Sequence, residues 1–324
     1  VSLPEGIGFA SFFAGASQAA APEKKSSTFL AFCLGLRQGW RTGVGDGMDA
    51  RQTVWSDPGR HGARVRELSD RPGVIADRLE LFVLHHEIAR HLGFGVPEAA
   101  EGDRGLRRVE ALLDAAFARD ARVLTAHRDI KNYLYVTCRD FAMLAVSALR
   151  AAGIAARLRV GFAGYFQKGR WIDHLVCEYR LGDRWAVLDA QLGPRAREGF
   201  KIDFPVDDVP ARAWLPAAEM WLAVRAGEVD PEICGLPSAG IKGLWWCAGS
   251  VMRDAAALAG VEALPWDFWG PGVGVREARA VPDALAADID LLAAALVPAP
   301  LDRAAALAVL GRFPWVGPGD LGGG

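Results

Sequence analysis

Apolar and polar positions change period several times between Thr137 and Gln191, and each change predicts an element. Phe141, Leu144, Ala145, Ala148 and Leu149 recur at helical spacing and predict a helix over residues 138–152. Thr137, with Asp140 three residues on, suits a capping box, and Gly153 suits a C-terminal stop. Cys138 is thereby placed in the first helical turn. Residues 154–162 alternate with period two and read as a strand, followed by a glycine-containing loop to Asp173. Residues 174–181 and 184–191 alternate again around Gly182-Asp183, the signature of a hairpin.

With Gly182 and Asp183 as the turn, paired residue numbers sum to 365. His174 then faces Gln191, Val176 faces Asp189, and His174 becomes a diagonal neighbour of Asp189, roughly 7–8 Å away at the backbone. Leu175, Cys177, Tyr179 and Leu181 fall on the opposite face with Ala186 and Leu188. Cys177 is therefore expected to be a core residue, although it lies close to the histidine in sequence.

Elsewhere the pattern is coarser. Helical spacing predicts helices over residues 74–92 and 104–119 before the hairpin region. After Pro194 and a proline-punctuated stretch, it predicts helices over 214–226, 247–259, 285–296 and 303–310. The expected organisation is a poorly ordered, Gly- and Ala-rich segment over 1–48 and a helical lead-in with an α+β core over 49–195. A mainly helical region packed on the core follows over 196–316, then a flexible tail over 317–324. The glycines near residue 45 lack the strand and helix that a phosphate loop requires.

Composition narrows the function classes. The 37 basic and 39 acidic residues nearly balance and form no basic block, which argues against nucleic acid or an anionic membrane as partner. The apolar stretch over 243–266 is interrupted by Arg253, Asp254 and Glu262, unlike a bilayer span. Five cysteines (Cys33, Cys138, Cys177, Cys234 and Cys247) form no C-x-x-C pair, so a reducing cytoplasm is expected. No leader pattern precedes an apolar run near residue 1.

The chemistry gathers on Cys138, His174 and Asp189. A thiol at a helix N-terminus meets unpaired N–H groups that favour the anionic sulfur and can stabilise an oxyanion. A histidine supplies the base, and an aspartate holds its tautomer. Arg139 and Asp140, beside the sulfur, either touch substrate or buttress the helix start. Gln191, opposite His174, is a further candidate around the base.

Three stretches carry a family resemblance. They are Cys138-Arg139-Asp140-Phe141-Ala142, Leu149 through Arg157 with the sequence LRAAGIAAR, and His174 with Trp185-Ala186-Val187-Leu188-Asp189. Over about residues 125–195 they resemble the transglutaminase-like superfamily. The flanks Gly243-Leu244-Trp245-Trp246 and residues 264–270 resemble a bacterial group within it. The resemblance implies a papain-like α+β core, a nucleophile helix packed on an antiparallel sheet, and a helical C-terminal extension. It also implies Cys138 as nucleophile, His174 as base and Asp189 as orienter. The position after the histidine, aromatic in many members, is Leu175 here.

The expected activity is that of a thiol hydrolase or acyltransferase. Its acyl donor would be an amide, peptide or thioester, its acceptor water or an amine, and it would use no cofactor and no metal. The alternative is a catalytically silent member that presents a groove to a peptide or protein partner.

Two other signals weigh less. His85-His86-Glu87-Ile88-Ala89-Arg90-His91 resembles a zinc helix, but His86 and His91 stand five apart, where two ligands on one face need four. A polar helix end or a hydrogen-bond network is expected there. The tryptophans at 214, 221, 245, 246, 266 and 269 are expected to be packing anchors.

Overall fold

The computed structural model describes residues 47–68, 71–297 and 301–317. The expectations of disorder over 1–48 and 317–324 fall almost wholly outside the described residues. The chain divides into two compact units. One is built from Asp49–Leu158 and Val176–Val209, the other from Arg159–Leu175 and the residues from Pro210 on.

The first unit holds α1 (Pro72–Leu79), β1 (Val83–His85), α2 (His86–His91), α3 (Val109–Arg119), β2 (Leu134–Val136) and α4 (Cys138–Ala151). Helix α4 is its centre, buried at every residue from Cys138 to Arg150. A helix enclosed on all sides must satisfy its own polar groups. Arg150 does so by donating to the carbonyl of Ala156 at 2.9 Å and to Ser56 Oγ at 2.8 Å.

Three strands pass through this unit wholly or in part: β3 (Ala156–Ala163), β4 (Ile172–Leu181) and β5 (Arg184–Leu188). Strands β4 and β5 pair antiparallel from Cys177–Leu188 to Leu181–Arg184, each pair summing to 365. The turn turns on Gly182, whose φ of 65° is open to glycine at little cost. Strand β3 lies on the other side of β4. There Arg180 N donates to Ala155 O at 2.9 Å, and Arg157 pairs with Glu178 at 2.6 Å. The Arg157 guanidinium also lies 3.8 Å above the Trp185 ring, where a cation is attracted to the π face. The unit closes with α5 (Pro194–Phe200).

The second unit holds β6 (Trp214–Pro216), α6 (Ala217–Arg225), α7 (Leu244–Leu258), α8 (Pro271–Ala278), α9 (Asp283–Leu296) and α10 (Arg303–Arg312). Strand β6 pairs antiparallel with the end of β3, which completes a sheet in the order β5-β4-β3-β6. Gly161 makes that pairing possible, because a Cβ there would stand 2.2 Å from the Leu215 carbonyl. Trp221, Trp246, Val251, Ile289 and Leu292 form the helical core. Asp254 on α7 accepts Arg159 Nε and Nη2, each at 2.9 Å, and Val160 N at 2.8 Å, pinning the strand to the helix. The fold is thus α+β with a helical C-terminal part, as expected.

Three expectations need correction. The helix predicted over 74–92 is broken: β1 interrupts it and pairs in parallel with β2, Val83 opposite Leu134. The apolar run from Leu79 to Leu84 fits both periods, and a partner fifty residues away decides between them. The helix predicted from 214 begins as strand β6, for the same reason. Helices α5 and α8 were not expected. Each opens on a proline, Pro194 and Pro271, a residue that suits a first helical turn.

Candidate active site

In the first unit, Cys138 occupies the first turn of α4 and is 8 % exposed. The turn is built rigidly. Asp140 Oδ2 accepts the Thr137 backbone N–H and the Thr137 hydroxyl, each at 3.0 Å. Arg139 donates to Asp140 Oδ1 at 2.8 Å and to the carbonyls of Leu106 and Arg107. Both side chains are fully buried. Their hydrogen bonds run to Thr137, to each other and to the Leu106 and Arg107 carbonyls at the helix start.

Asp189 lies one residue beyond β5, which closes at Leu188 rather than running to Gln191. The strand leaves its ladder because Asp189 N donates to the Val206 carbonyl at 2.8 Å. Asp189 Oδ1 accepts Gln191 N at 3.0 Å, a turn typical of aspartate, and the carboxylate is 1 % exposed. Gln191 is partly buried, and its Oε1 is enclosed without a hydrogen-bond partner. The four residues Cys138, Arg139, Asp140 and Asp189, together with Gln191, belong to this unit.

Cys177 sits on the other face of β4, opposite Leu188 and wholly buried. Burial pushes its thiol far above the ordinary thiol range. It is a core residue, as the register requires.

In the second unit, His174 is 2 % exposed near the start of β4. Trp214 Nε1 donates to its carbonyl at 3.0 Å, fixing the backbone on which the imidazole is mounted. Phe166 meets the imidazole edge-on with centroids 4.8 Å apart, and Tyr165 does so at 6.2 Å. These neighbours were missed in the sequence, where Tyr165-Phe166 reads as part of a glycine-containing loop. An aromatic dipeptide inside a polar loop was the one available signal. Leu175 follows His174 in the chain, yet aromatic packing reaches the histidine from this loop.

Beside His174, the Asp173 carboxyl is pushed up by burial and opposed by the Arg253 charge. Arg253, itself brought down to about 10 by burial, lies 4.5 Å over Trp246 and 4.9 Å over Phe268. It also donates to Ser250 Oγ at 3.1 Å. The Trp245-Trp246 and Phe268 segments therefore pack around a buried cation. Trp214, Trp221, Trp245, Trp246 and Trp269 are all buried, the anchors expected, whereas Trp266 is 38 % exposed.

The histidine cluster is a hydrogen-bond network. His85 caps α2 by accepting Glu87 N, and His86 Nδ1 lies 3.2 Å from Glu87 Oε1. That bond holds the Glu87 carboxyl down at about 2. Among the described residues, no group of three His, Cys, Asp or Glu is placed to hold a metal ion, and no helix is long and apolar enough to cross a membrane.

Residues 118–190 match the family model of the transglutaminase-like superfamily. The matched stretch contains Cys138, His174 and Asp189, and this part of the chain is a transglutaminase-like core. Comparisons with curated proteins and with solved structures return no match.

Proposed function

We propose that the protein is a cysteine-dependent acyl-transfer enzyme, with Cys138 as nucleophile, His174 as base and Asp189 as the group that orients the base. The observation that carries this reading is the setting of Cys138. The thiol stands in the first turn of a buried helix, within the segment matched to the superfamily. The other two assignments, His174 and Asp189, are those the family resemblance implies. Like Cys138, both lie within the segment matched to the superfamily.

The chemistry runs in two steps. Cys138 Sγ, its proton passed to His174, attacks the carbonyl carbon of an amide or thioester, forming a C–S bond. The N–H of Cys138 itself, in the first turn and so without a partner within the helix, would donate to the oxyanion that develops. His174 returns the proton to the leaving amine or thiol as its bond to carbon breaks, which leaves an acyl-enzyme. Water or an amine then attacks that thioester, His174 takes its proton, and the C–S bond breaks.

The test is intact-protein mass spectrometry after incubation with a panel of activated esters, thioesters and primary amides. A mass increase equal to the acyl group, mapped to Cys138 and absent in Cys138→Ala, is the expected result. Acylation elsewhere, or none with any donor, would favour a silent binding module.

A further inference from the structure

In the second unit, two short strands, β7 (Gly235–Leu236) and β8 (Ile241–Lys242), form a hairpin that leads into α7. Two glycines fold it tightly. Gly235 has a φ of 127°, and a Cβ there would stand 2.3 Å from the Ile241 carbonyl. Gly243, with a φ of 103°, is the N-cap of α7, and its N–H donates to the Cys234 carbonyl at 3.3 Å. Residues with a Cβ seldom adopt such angles. The chain thereby doubles back and lays Cys234 on the first turn of α7, where Cys247 N donates to Gly243 O at 3.3 Å.

Cys234 and Cys247 are fully buried in the same helical core, and among the described residues they are the only cysteines of this unit. Cys234 Sγ lies 3.6 Å from Met220 Sδ and 3.7 Å from the Asp230 carbonyl, and a hydrogen bond joins the Cys247 thiol to it. Thiols are weak donors and weak acceptors, so these contacts hold the pair only loosely. The bond to Cys234, and then burial, push the Cys247 thiol well above the ordinary thiol range. In the finished core, the thiolate that disulfide exchange requires is therefore suppressed. The segment around Cys234 also holds the start of β4. Trp171 N donates to Ile233 O at 2.9 Å and Gly235 N donates to Trp171 O at 2.8 Å, so residues 233–235 bracket the chain three residues before His174.

We infer that Cys234 and Cys247 are a disulfide-forming pair, closed as the chain folds in the presence of a small disulfide and sealed in the core afterwards. While the hairpin is still open, the thiolate of one cysteine attacks a sulfur of oxidised glutathione. The S–S bond of glutathione breaks, and one glutathione leaves as its thiolate. As the hairpin docks on α7, the second cysteine gives its proton to solvent and attacks the protein sulfur of the mixed disulfide, and the second glutathione leaves. Two protein thiols have lost two electrons and two protons, and glutathione disulfide has become two thiols. From hydrogen-bond contact, the sulfurs reach the bonding distance of about 2 Å by side-chain rotation. The bond closes a loop between positions 234 and 247, which takes freedom from the unfolded chain. It also ties the segment that brackets Trp171 to α7. Folding in reductant leaves the dithiol. The inference stands apart from the acyl-transfer reading, because neither cysteine takes part in it.

The experiment refolds the full-length protein from denaturant in two ways, with a mixture of oxidised and reduced glutathione and with dithiothreitol. Each preparation is then alkylated in denaturant and peptide-mapped without reduction. In the first, Cys234 and Cys247 should be joined and the protein two hydrogens lighter, with Cys138 and Cys177 alkylated. That form should melt at least about 3 °C above the dithiol form. Cys234→Ser should show no difference between the two preparations. The Trp171 and Gly235 amides should exchange with deuterium at least about threefold more slowly in the disulfide form. Should refolding fail, native protein held with the glutathione mixture just below its melting temperature, where the hairpin opens, decides by the same map. No joined 234–247 peptide, or pairing of either cysteine with Cys33, Cys138 or Cys177, would overturn the proposal. So would a disulfide form that melts no higher than the dithiol, and unchanged exchange at Trp171 and Gly235 would overturn the tie to β4.

Discussion

Cys138 and Cys177 stand in the same unit, in surroundings that differ sharply. One opens α4, where the first N–H groups have no partner within the helix and the residue is 8 % exposed. The other lies mid-strand in β4, fully enclosed, its thiol donating weakly to the Glu178 carbonyl at 3.9 Å and pushed up by desolvation. A helix start offers dipoles and an approach path, whereas a sheet interior offers neither. On the proposed reading, position in an element, more than residue type, separates the reactive thiol from the inert one.

The largest effect should come from the reactive side of that contrast. Cys138→Ala and His174→Ala should each lower turnover at least about a thousandfold, with melting temperatures within a few degrees of wild type, since nucleophile and base act as a unit. Asp189→Asn should leave a smaller deficit. Steady-state kinetics with a donor that acylates Cys138 reads this, and near wild-type turnover in Cys138→Ala would erase the difference between the two cysteines.

Next comes the scaffold of the helix start. Asp140→Ala removes the partner of a fully buried Arg139 and both bonds to Thr137. It should cost about 3–5 kcal/mol in denaturant-unfolding experiments, because the remaining charge is left uncompensated. A cost below about 1 kcal/mol would mean that the start of α4 is not held by this pair.

The dry face of β4 should show itself in alkali. Cys177 and Tyr179 share that face, and burial raises both, Tyr179 to about 12. Their folded values exceed the unfolded ones. The stability they confer is therefore complete below the ordinary thiol range and lost as pH rises towards the folded values. The decline should reach up to about 1.4 kcal/mol per pH unit for each group ionised only in the unfolded chain. Unfolding midpoints measured from pH 7 to 11 should fall, and fall less steeply in Cys177→Ala. An unchanged slope in that variant would place Cys177 in contact with water.

The smallest effect is Cys177→Ala at neutral pH, which should cost about 1 kcal/mol of packing and leave turnover unchanged. Loss of catalysis would signal a one-residue slip of β4 against β5, since such a slip turns every side chain to the other face.

The parts legible in the sequence were those set by neighbours in the chain. Thr137 and Asp140 announced the start of α4 to the residue, and Gly182-Asp183 set a register that holds for all five pairs from Cys177–Leu188 to Leu181–Arg184. What failed depended on distant partners. Val83–His85 became a strand only because Leu134–Val136 lies alongside, and Trp214–Pro216 only because β3 pairs with it. The surroundings of His174 were hidden for the same reason. Trp214 comes from forty residues downstream, and the Arg253 beside Asp173 from eighty. The burial of the Gln191 oxygen has no signature in sequence, because distant parts of the fold enclose it.

The central claim, that Cys138 is the nucleophile, is tested most directly by iodoacetamide labelling of the native protein at pH 7 with peptide mapping over time. Cys138 should be carboxamidomethylated first and in step with loss of turnover, and more slowly in His174→Ala. The buried Cys177, Cys234 and Cys247 should label only after denaturation. Labelling of Cys177 as fast as Cys138, or of Cys138 only after unfolding, would contradict the account.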